Sequence, residues 1–341
     1  MATLPHATFT AESAVELAVL ERSGFIESRH VGSAVVMAAD GNIVVELGDI
    51  AAPVYARSAL KPFQALAAMQ SGVPLRGAQV ALACGSHVGS LDHMDVVSGM
   101  LSAAGVTENH LQCPAGWPQD ETARAWLIRS EKGKSRIAFN CSGKHAAFLW
   151  ACTENGWDVA SYLEPHHPLQ RRVREVIEEY TGEPIAHMGI DGCGAPVAAV
   201  SLTGLARAFS TLAKAPGDKH SNARAATIAT SMLDYPWAVQ GLGEANTVVM
   251  EQLGILAKIG AEGVVAMATE QGVSVAVKIL DGNLRAATLV GLTLLAAVDA
   301  ANPTSVSTVL DQVVEPVLGG GRPVGRIRLG QSVSALLERE Q

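Results

Sequence analysis

Short apolar runs broken by glycine-containing turns mark both ends of the chain. Residues 35–47 consist of two β-rich runs on either side of Asp40-Gly41-Asn42, a pattern typical of a β-hairpin. Residues 265–278 repeat this pattern around Gln271-Gly272. We expect these two hairpins, although they lie far apart in the sequence, to share one antiparallel sheet.

Between the hairpins, the spacing of apolar residues is helical. It predicts helices over six segments: Pro62 to Met69, Asp92 to Ala103, Asp120 to Ile128, His145 to Cys152, Pro168 to Tyr180 and Pro196 to Leu212. Ala286 to Val298 is the most apolar segment and predicts a buried helix on the sheet, since 13 residues are too few to span a bilayer. The chain is thus predicted to be α+β, an antiparallel sheet packed with helices plus a mainly helical region, in a single domain over residues 1–341.

The composition narrows the class of protein further. Apolar residues form 48% of the 341 residues and charged residues 17%, which excludes disorder for most of the chain. A formal net charge of −8 without a long basic stretch argues against nucleic acid as a partner. Five cysteines, an odd number in a large chain, fit a reducing compartment. Met1 to Thr10 lacks a basic start followed by an apolar core, so we expect a cytoplasmic protein rather than a secreted one.

The first candidate for chemistry is the segment Arg57-Ser58-Ala59-Leu60-Lys61. Ser58 and Lys61 are three residues apart and would share one face of a helix. Because proline is tolerated only in the first helical turn, Pro62 predicts that the helix begins near Ser58. Ser-x-x-Lys is the first element of a serine acyl-transfer signature. The same residues also fit a serine N-cap followed by an exposed lysine.

Two later segments supply the other elements that such a signature needs. Cys84-Gly85-Ser86-His87 follows the apolar run Val80 to Ala83, which predicts a strand that ends in a serine-containing loop. Lys258-Ile259-Gly260 resembles a Lys-Thr-Gly element on a strand edge, with isoleucine at the threonine position. A simple glycine–serine turn and a hairpin with a solvated lysine are the alternatives. The order of the three elements favours the catalytic interpretation.

A fourth cluster combines cysteines with polar residues. Cys141-Ser142-Gly143-Lys144-His145 is not a phosphate-binding loop, because alanine and histidine occupy two of its defining positions. Together with Asp191-Gly192-Cys193 it offers two thiols with a nearby aspartate and histidine, a soft donor set suited to zinc. Buried structural thiols are the alternative.

These segments together resemble the zinc-associated, rhizobial-type L-asparaginase family. The resemblance covers about residues 35–282 and rests on five segments: residues 57–62, 86–87, 141–145, 189–193 and 258–263. It implies a serine β-lactamase-like fold, a homodimer, and hydrolysis of L-asparagine to L-aspartate and ammonia. The family's two Ser–Lys pairs correspond here to Ser58 with Lys61 and to Ser86 with Lys258. Its zinc ligands correspond to Cys141, Lys144 and Cys193, with Asp191 beside them.

Three positions depart from the family pattern. Ile259 replaces a threonine, Val88-Gly89-Ser90 stands where Ser-Gly-Glu is expected, and Gly116 stands where a histidine is common. The first change removes a hydroxyl that could contact the substrate, and the second removes an acidic group. The departures point to an altered preference among amide substrates.

The sequence leads to an acyl-enzyme mechanism. In the first assignment Ser58 attacks the side-chain amide, Lys61 takes its proton, and Ser86 with Lys258 relays the proton to the departing ammonia. In the second assignment Ser86 attacks, with Lys258 as its base. Backbone N–H groups at Ser58 and near Gly260 would hold the oxyanion.

The sequence also offers residues that would bind the substrate. The cationic groups Arg57, His87 and His145 are candidates to orient the substrate's α-carboxylate or its hydrogen-bond network, and Gly260 and Glu262 complete the predicted substrate-binding set. Two alternatives in other functional classes stay open. One is another serine hydrolase, such as an esterase, peptidase or β-lactamase, and the other is a non-catalytic zinc-binding regulator.

Overall fold

The computed structural model describes residues 7–337, whose strands form one large and one small antiparallel sheet. The strands, in chain order, are β1 (Val15–Arg22), β2 (Phe25–Met37), β3 (Ile43–Leu47), β4 (Val54–Tyr55), β5 (His187–Ile190), β6 (Pro196–Val200), β7 (Leu256–Gly260), β8 (Val264–Ala268), β9 (Ser274–Ile279), β10 (Val317–Gly319) and β11 (Arg322–Leu329). The strand order of the large sheet is β10-β11-β1-β2-β9-β8-β7, with β3 paired to β2 beside this path. The small sheet has the order β4-β6-β5.

Thirteen α-helices in the described residues occupy the middle of the chain and its C-terminal part. They are α1 (Lys61–Gln70), α2 (Ala78–Ala83), α3 (Leu91–Ala103), α4 (Glu121–Arg129), α5 (Ser142–Asn155), α6 (Pro168–Thr181), α7 (Leu202–Lys214), α8 (Ala223–Asp234), α9 (Pro236–Val239), α10 (Ala245–Leu253), α11 (Ala287–Ala297), α12 (Pro303–Val313) and α13 (Gln331–Leu337). The predicted α+β class is confirmed: an antiparallel sheet from both chain ends packs with helices from the middle.

The two predicted hairpins do share one sheet. The first is β2–β3, and the second is β8–β9. Strands β2 and β9 join them in an antiparallel ladder that sets Val35 opposite Ala276. Every residue of β9 is buried, and both α7 and α11 pack against this strand. Because alternate residues of a strand face opposite sides, a wholly buried strand means that helices cover both faces of the sheet here.

Three local expectations are corrected by the structure. The predicted helix over Pro196 to Leu212 begins only at Leu202, because residues Pro196–Val200 pair with β5 as strand β6. Ser201 then caps α7 through its side chain, which accepts a hydrogen bond from the Gly204 N–H. The segment from Val80 to Ala83 is helical rather than extended, in keeping with its alanine and leucine content.

The third correction concerns the start of α1. Residues Arg57–Leu60 form a 3₁₀ turn, and the α-helix begins at Lys61 with Pro62 in its first turn. Ser58 therefore lies on the turn before the helix and not on the helix itself. The backbone of Arg57 has a positive φ of 51°, in the left-handed region that few residues other than glycine adopt.

The five cysteines all lie within residues 7–337 and are buried free thiols. Within residues 7–337, no helix has the length and apolar character needed to cross a membrane. The first six residues of the N-terminal segment considered above lie outside the described residues.

Candidate active site

Two lysines from distant parts of the chain meet at the hydroxyl of Ser86. Lys61, in the first turn of α1, places its Nζ 2.9 Å from Ser86 Oγ. Lys258, on β7, places its Nζ 3.0 Å from the same oxygen. The side chains of Lys61 and Lys258 are almost completely buried, at 1% and 0% exposure, so both contacts are shielded from water. Ser86 is thus held between two amines.

Lys61 is surrounded by oxygen acceptors. Besides Ser86, its Nζ donates to the backbone carbonyls of Gly85 and of Asn140, the latter at 3.3 Å. A lysine ammonium has three N–H donors and no acceptor, so it can donate to each of these three oxygens. The arrangement suits a positively charged Lys61 that points at the serine oxygen.

The surroundings of Lys258 disfavour its charged form. Burial, and then the neighbouring Lys61, hold the pKa of Lys258 well below its ordinary value of 10.5. Its Nζ also lies 2.7 Å from the carbonyl oxygen of Ile259, which fixes the amine beside the strand. A neutral amine within hydrogen-bond distance of a serine hydroxyl can act as a general base.

The loop that carries Ser86 is pinned by strand-like pairing. The Ser86 N–H donates to the Val239 carbonyl at 2.7 Å, and the Val88 N–H donates to the Gln240 carbonyl at 2.7 Å. The preceding Gly85 packs so closely that an added Cβ would lie 2.8 Å from the Ala238 carbonyl oxygen. This close approach requires glycine at position 85 and sets the direction of the chain between the end of α2 and Ser86.

Ser58 lies near this group but does not form the expected pair with Lys61. Among the described residues, no hydrogen bond joins the Ser58 hydroxyl to the Lys61 amine. The strand of Lys258 packs directly on the 3₁₀ turn of Ser58, because a Cβ added at Gly260 would lie 2.3 Å from the Ala56 carbonyl oxygen. Gly260 therefore brings the turn and the strand together, and a side chain cannot be accommodated at this position.

Arg57 and Glu262 line a cavity of about 350 Å³ whose lining includes neither Ser86 nor the two lysines that contact it. The Arg57 guanidinium donates to Asp191, with Nε and Nη2 each 2.8 Å from Oδ1. Lys278 also lines the cavity, and its Nζ donates to the Glu262 backbone carbonyl. The cavity thus presents cationic groups and a carboxylate to one small volume.

The two histidines lie apart from this cavity and are neutral. Burial holds the pKa of His87 well below 6.5 and lowers that of His145 to about 4. His87 Nε2 lies 2.9 Å from the hydroxyl of Ser142, and His145 Nδ1 lies 2.7 Å from that of Tyr162. Burial makes protonation of either ring unfavourable, which argues against a cationic role for these two residues. Both bind neighbouring side chains instead.

The residues of the expected zinc set do come together. Lys144 Nζ lies 3.2 Å from Cys193 Sγ, and all three side chains of the set (Cys141, Lys144 and Cys193) are buried. A hydrogen bond from the Cys141 thiol holds the pKa of Cys193 far below its ordinary range and raises that of Cys141. Burial lowers the pKa of Lys144, but Cys193 and Cys141 outweigh it and raise this pKa overall.

The chemistry of this donor set fits zinc, which prefers thiolate sulfur and nitrogen ligands. The carboxylate of Asp191 is engaged by Arg57 through its Oδ1. Within residues 7–337, no group of three or more His, Cys, Asp or Glu side chains is arranged to hold a metal ion. A metal here would therefore need the Lys144 amine as a ligand.

One residue beside the lysines carries no sequence signal. Asn246, near the start of α10, accepts a hydrogen bond through Oδ1 from the Ile259 N–H at 3.1 Å. It is 1% exposed. No spacing or composition signal marks it, because it lies in an ordinary helical segment and reaches the site only through the fold.

Comparison with known proteins adds evidence from outside the chain. A sequence profile described as L-asparaginase II matches residues 18–329. None of the curated protein sequences compared with the chain matches it significantly.

Several solved structures are similar at low identity. The glutamate form of Mglu has 16% identity and a TM-score of 0.45, and the match covers 79% of this chain and 61% of that one. A β-lactamase from Mycobacterium bovis has 15% identity and a TM-score of 0.39, with 83% and 95% covered. A Bacillus glutaminase has 13% identity and a TM-score of 0.38, with 80% and 92% covered. The chain therefore spans less than two thirds of the length of Mglu. Since the profile covers most of the sequence, the chain belongs to the L-asparaginase II family.

Proposed function

We propose that this protein is an amidohydrolase that converts L-asparagine and water to L-aspartate and ammonia through a serine acyl-enzyme. Membership of the L-asparaginase II family supports an amide substrate. The observation that carries the proposal is the Ser86 hydroxyl, 2.9 Å from Lys61 Nζ and 3.0 Å from Lys258 Nζ. A serine with one neutral and one charged amine is equipped for acyl transfer.

In the proposed reaction Ser86 is the nucleophile. Neutral Lys258 takes the hydroxyl proton while Ser86 Oγ bonds to the amide carbon. The Lys61 ammonium stabilises the negative charge that develops on the substrate's former carbonyl oxygen. Collapse of the tetrahedral intermediate breaks the C–N bond, and the proton held by Lys258 leaves with ammonia. Water then attacks the ester, again with Lys258 as the base, and restores Ser86 with release of aspartate.

The competing assignment makes Ser58 the nucleophile and Ser86 the proton relay. Ser86 is favoured because it contacts both lysines, whereas Ser58 has no hydrogen bond to Lys61 in the described part of the chain. Trapping decides between the two serines. A slowly turned-over ester of aspartate, quenched in acid and mapped by mass spectrometry, should add its acyl mass to Ser86; the mass on Ser58 instead would reverse the assignment.

A charged cavity lined by Arg57, Glu262 and Lys278 suits the rest of the substrate. Free L-asparagine carries an α-carboxylate and an α-ammonium group. Arg57 and Lys278 offer positive charge and Glu262 offers a carboxylate in a volume of about 350 Å³. We therefore assign substrate binding to this cavity, with Arg57 facing the carboxylate and Glu262 facing the ammonium group.

Zinc and a second copy of the chain complete the proposal. Cys141, Cys193 and the neutral amine of Lys144 would hold a zinc ion, which when bound supplies a fixed positive charge near the site. These three residues otherwise tie α5 to the loop after β5, as the contact between Lys144 and Cys193 indicates. The homodimer implied by the family resemblance is checked by sedimentation velocity.

Ammonia release from L-asparagine and L-glutamine, assayed side by side, tests the proposed activity. Faster turnover of L-asparagine supports it, and preference for L-glutamine corrects the substrate. A panel of esters and nitrocefin separates the other serine hydrolases from an amidase. Absence of turnover on the whole panel would favour the non-catalytic regulator.

A further inference from the structure

We infer that Asn246 is a substrate-contacting residue whose side-chain Nδ2 donates a hydrogen bond to an oxygen of the bound substrate. The inference rests on the proposed function, because it concerns the same site. It assigns a role to a residue that lies in none of the motifs above.

The side chain of Asn246 is fixed on one side and unpaired on the other. Its Oδ1 accepts from the Ile259 N–H at 3.1 Å, and its own backbone N–H donates to the Gln240 side chain at 3.0 Å. The Nδ2 group is buried and has no hydrogen-bond partner among the described residues. A flipped carboxamide would set two donors against each other, so the contact with Ile259 establishes which end of the amide is free.

The position of Ile259 locates this free donor. Strand β7 is the last strand of the large sheet. The Ile259 N–H donates to Asn246, and the Ile259 carbonyl accepts from Lys258 Nζ at 2.7 Å. Two side chains thus bind the same stretch of backbone, and one of them, Lys258, lies 3.0 Å from Ser86 Oγ. The carboxamide of Asn246 therefore binds the same residue, Ile259, that holds the Lys258 amine beside Ser86.

A buried donor without a partner is energetically unfavourable. Leaving one unpaired costs about 1–3 kcal/mol, and most such groups in native proteins are satisfied by protein or water. A substrate oxygen beside Ser86 would supply the missing acceptor. Two groups of an amide substrate qualify: the carbonyl under attack and the α-carboxylate. The kinetic constants distinguish them, because a donor to the reacting carbonyl acts on kcat and a donor to the carboxylate acts on KM.

Two substitutions test separately the hydrogen-bond donor and the acceptor of this side chain. Asn246→Asp keeps an oxygen for the Ile259 N–H and removes the donor, whereas Asn246→Ala removes both. Asn302→Asp is the matched control, because the Asn302 side chain caps α12 by accepting from the Ser305 N–H at 3.0 Å. Each variant is assayed for kcat, KM and melting temperature with the amide that the parental enzyme prefers.

We expect both Asn246 variants to lose at least tenfold in kcat/KM, with Asn302→Asp unchanged and Asn246→Asp melting close to the parental protein. Parental kcat/KM in a folded Asn246→Asp overturns the inference, since the donor is then dispensable. The inference is also overturned if Asn246→Asp loses activity while Asn246→Ala keeps full activity, because the added negative charge then explains the loss. If Asn246→Ala does not fold, the Asp variant alone decides. A parental protein that turns over no amide overturns the proposed function and this inference together, an outcome visible before any variant is made.

Discussion

Ser86 Oγ and Lys258 Nζ lie 3.0 Å apart although 172 positions separate them in the chain. The contact exists because β7 is the edge strand of the large sheet, which leaves one side of the strand open to the loop after α2. Gly260 lets this strand approach the turn of Ser58, and Gly85 lets the loop approach the segment around Ala238. Two glycines therefore bring the reactive groups together.

Replacing Ser86 tests the assignment of the nucleophile. Ser86→Ala should lower kcat by about 10⁴-fold or more, as removal of a serine nucleophile does elsewhere. Ser58→Ala should retain more activity, because Ser58 has no hydrogen bond to either lysine in the described residues. Circular dichroism and melting temperature confirm that each variant is folded. Residues that act as a unit are non-additive, so Ser86→Ala combined with Lys258→Met should be hardly slower than Ser86→Ala alone. A Ser86→Ala variant near parental kcat would contradict the mechanism.

Lys258 should make stability depend on pH in a characteristic direction. Its folded-state pKa lies below the 10.5 of an unperturbed lysine, so between these two values the unfolded chain binds more protons. The free energy of unfolding of the parental protein should therefore rise with pH across this window, and the gain should be lost as pH falls through it. Lys258→Met removes this component together with the activity.

Urea unfolding of both proteins between pH 6 and pH 10 measures the difference. We expect the stability of Lys258→Met relative to the parental protein to be greatest at the acid end and to decline toward pH 10. The control is Lys219→Met, which replaces an exposed lysine and should follow the parental curve. Parallel curves for Lys258→Met and the parental protein would show that Lys258 is not held neutral.

The local parts of this fold are readable from the sequence, and the non-local ones are not. The hairpin around Asp40-Gly41-Asn42 is specified by its turn residues and its alternating flanks, so it is predicted. Residues Pro196–Val200 read as the start of a helix because their strand character depends on pairing with β5, a tertiary contact. Strands β1 and β11, from opposite ends of the chain, likewise depend on pairing with each other and with β2 and β10.

The same distinction holds at the candidate site. Lys61 and Ser86 are both marked by motifs, but the sequence pairs Lys61 with Ser58 because spacing along a helix is the only geometry that it offers. The fold instead turns the lysine toward Ser86. Asn246 is absent from every motif, because its importance comes from one backbone N–H on a strand that is distant until the chain folds.

The zinc proposal predicts a metal content that depends on two thiols. Protein purified without chelator should contain about one zinc per chain, and Cys141→Ser combined with Cys193→Ser should contain none. Cys152→Ser is the matched control, since Cys152 is also a buried thiol of α5 but lies in its last turns. Elemental analysis of the three proteins makes the measurement. A parental protein without metal would leave Cys141 and Cys193 as structural thiols.

Ile259, which stands where the family pattern has threonine, should matter for stability rather than for substrate binding. Neighbouring side chains of a strand point to opposite faces, and the adjacent Lys258 points to Ser86. Ile259 is half-buried and packs against the apolar core. Ile259→Thr should therefore place a hydroxyl against apolar side chains and lower the free energy of unfolding by about 1–3 kcal/mol, with KM for L-asparagine unchanged. Ile43→Thr on β3, where the side chain is 44% exposed, is the control and should cost less. Kinetics and urea unfolding on the same preparations decide the matter, because a lower KM at unchanged stability would place residue 259 in the substrate site.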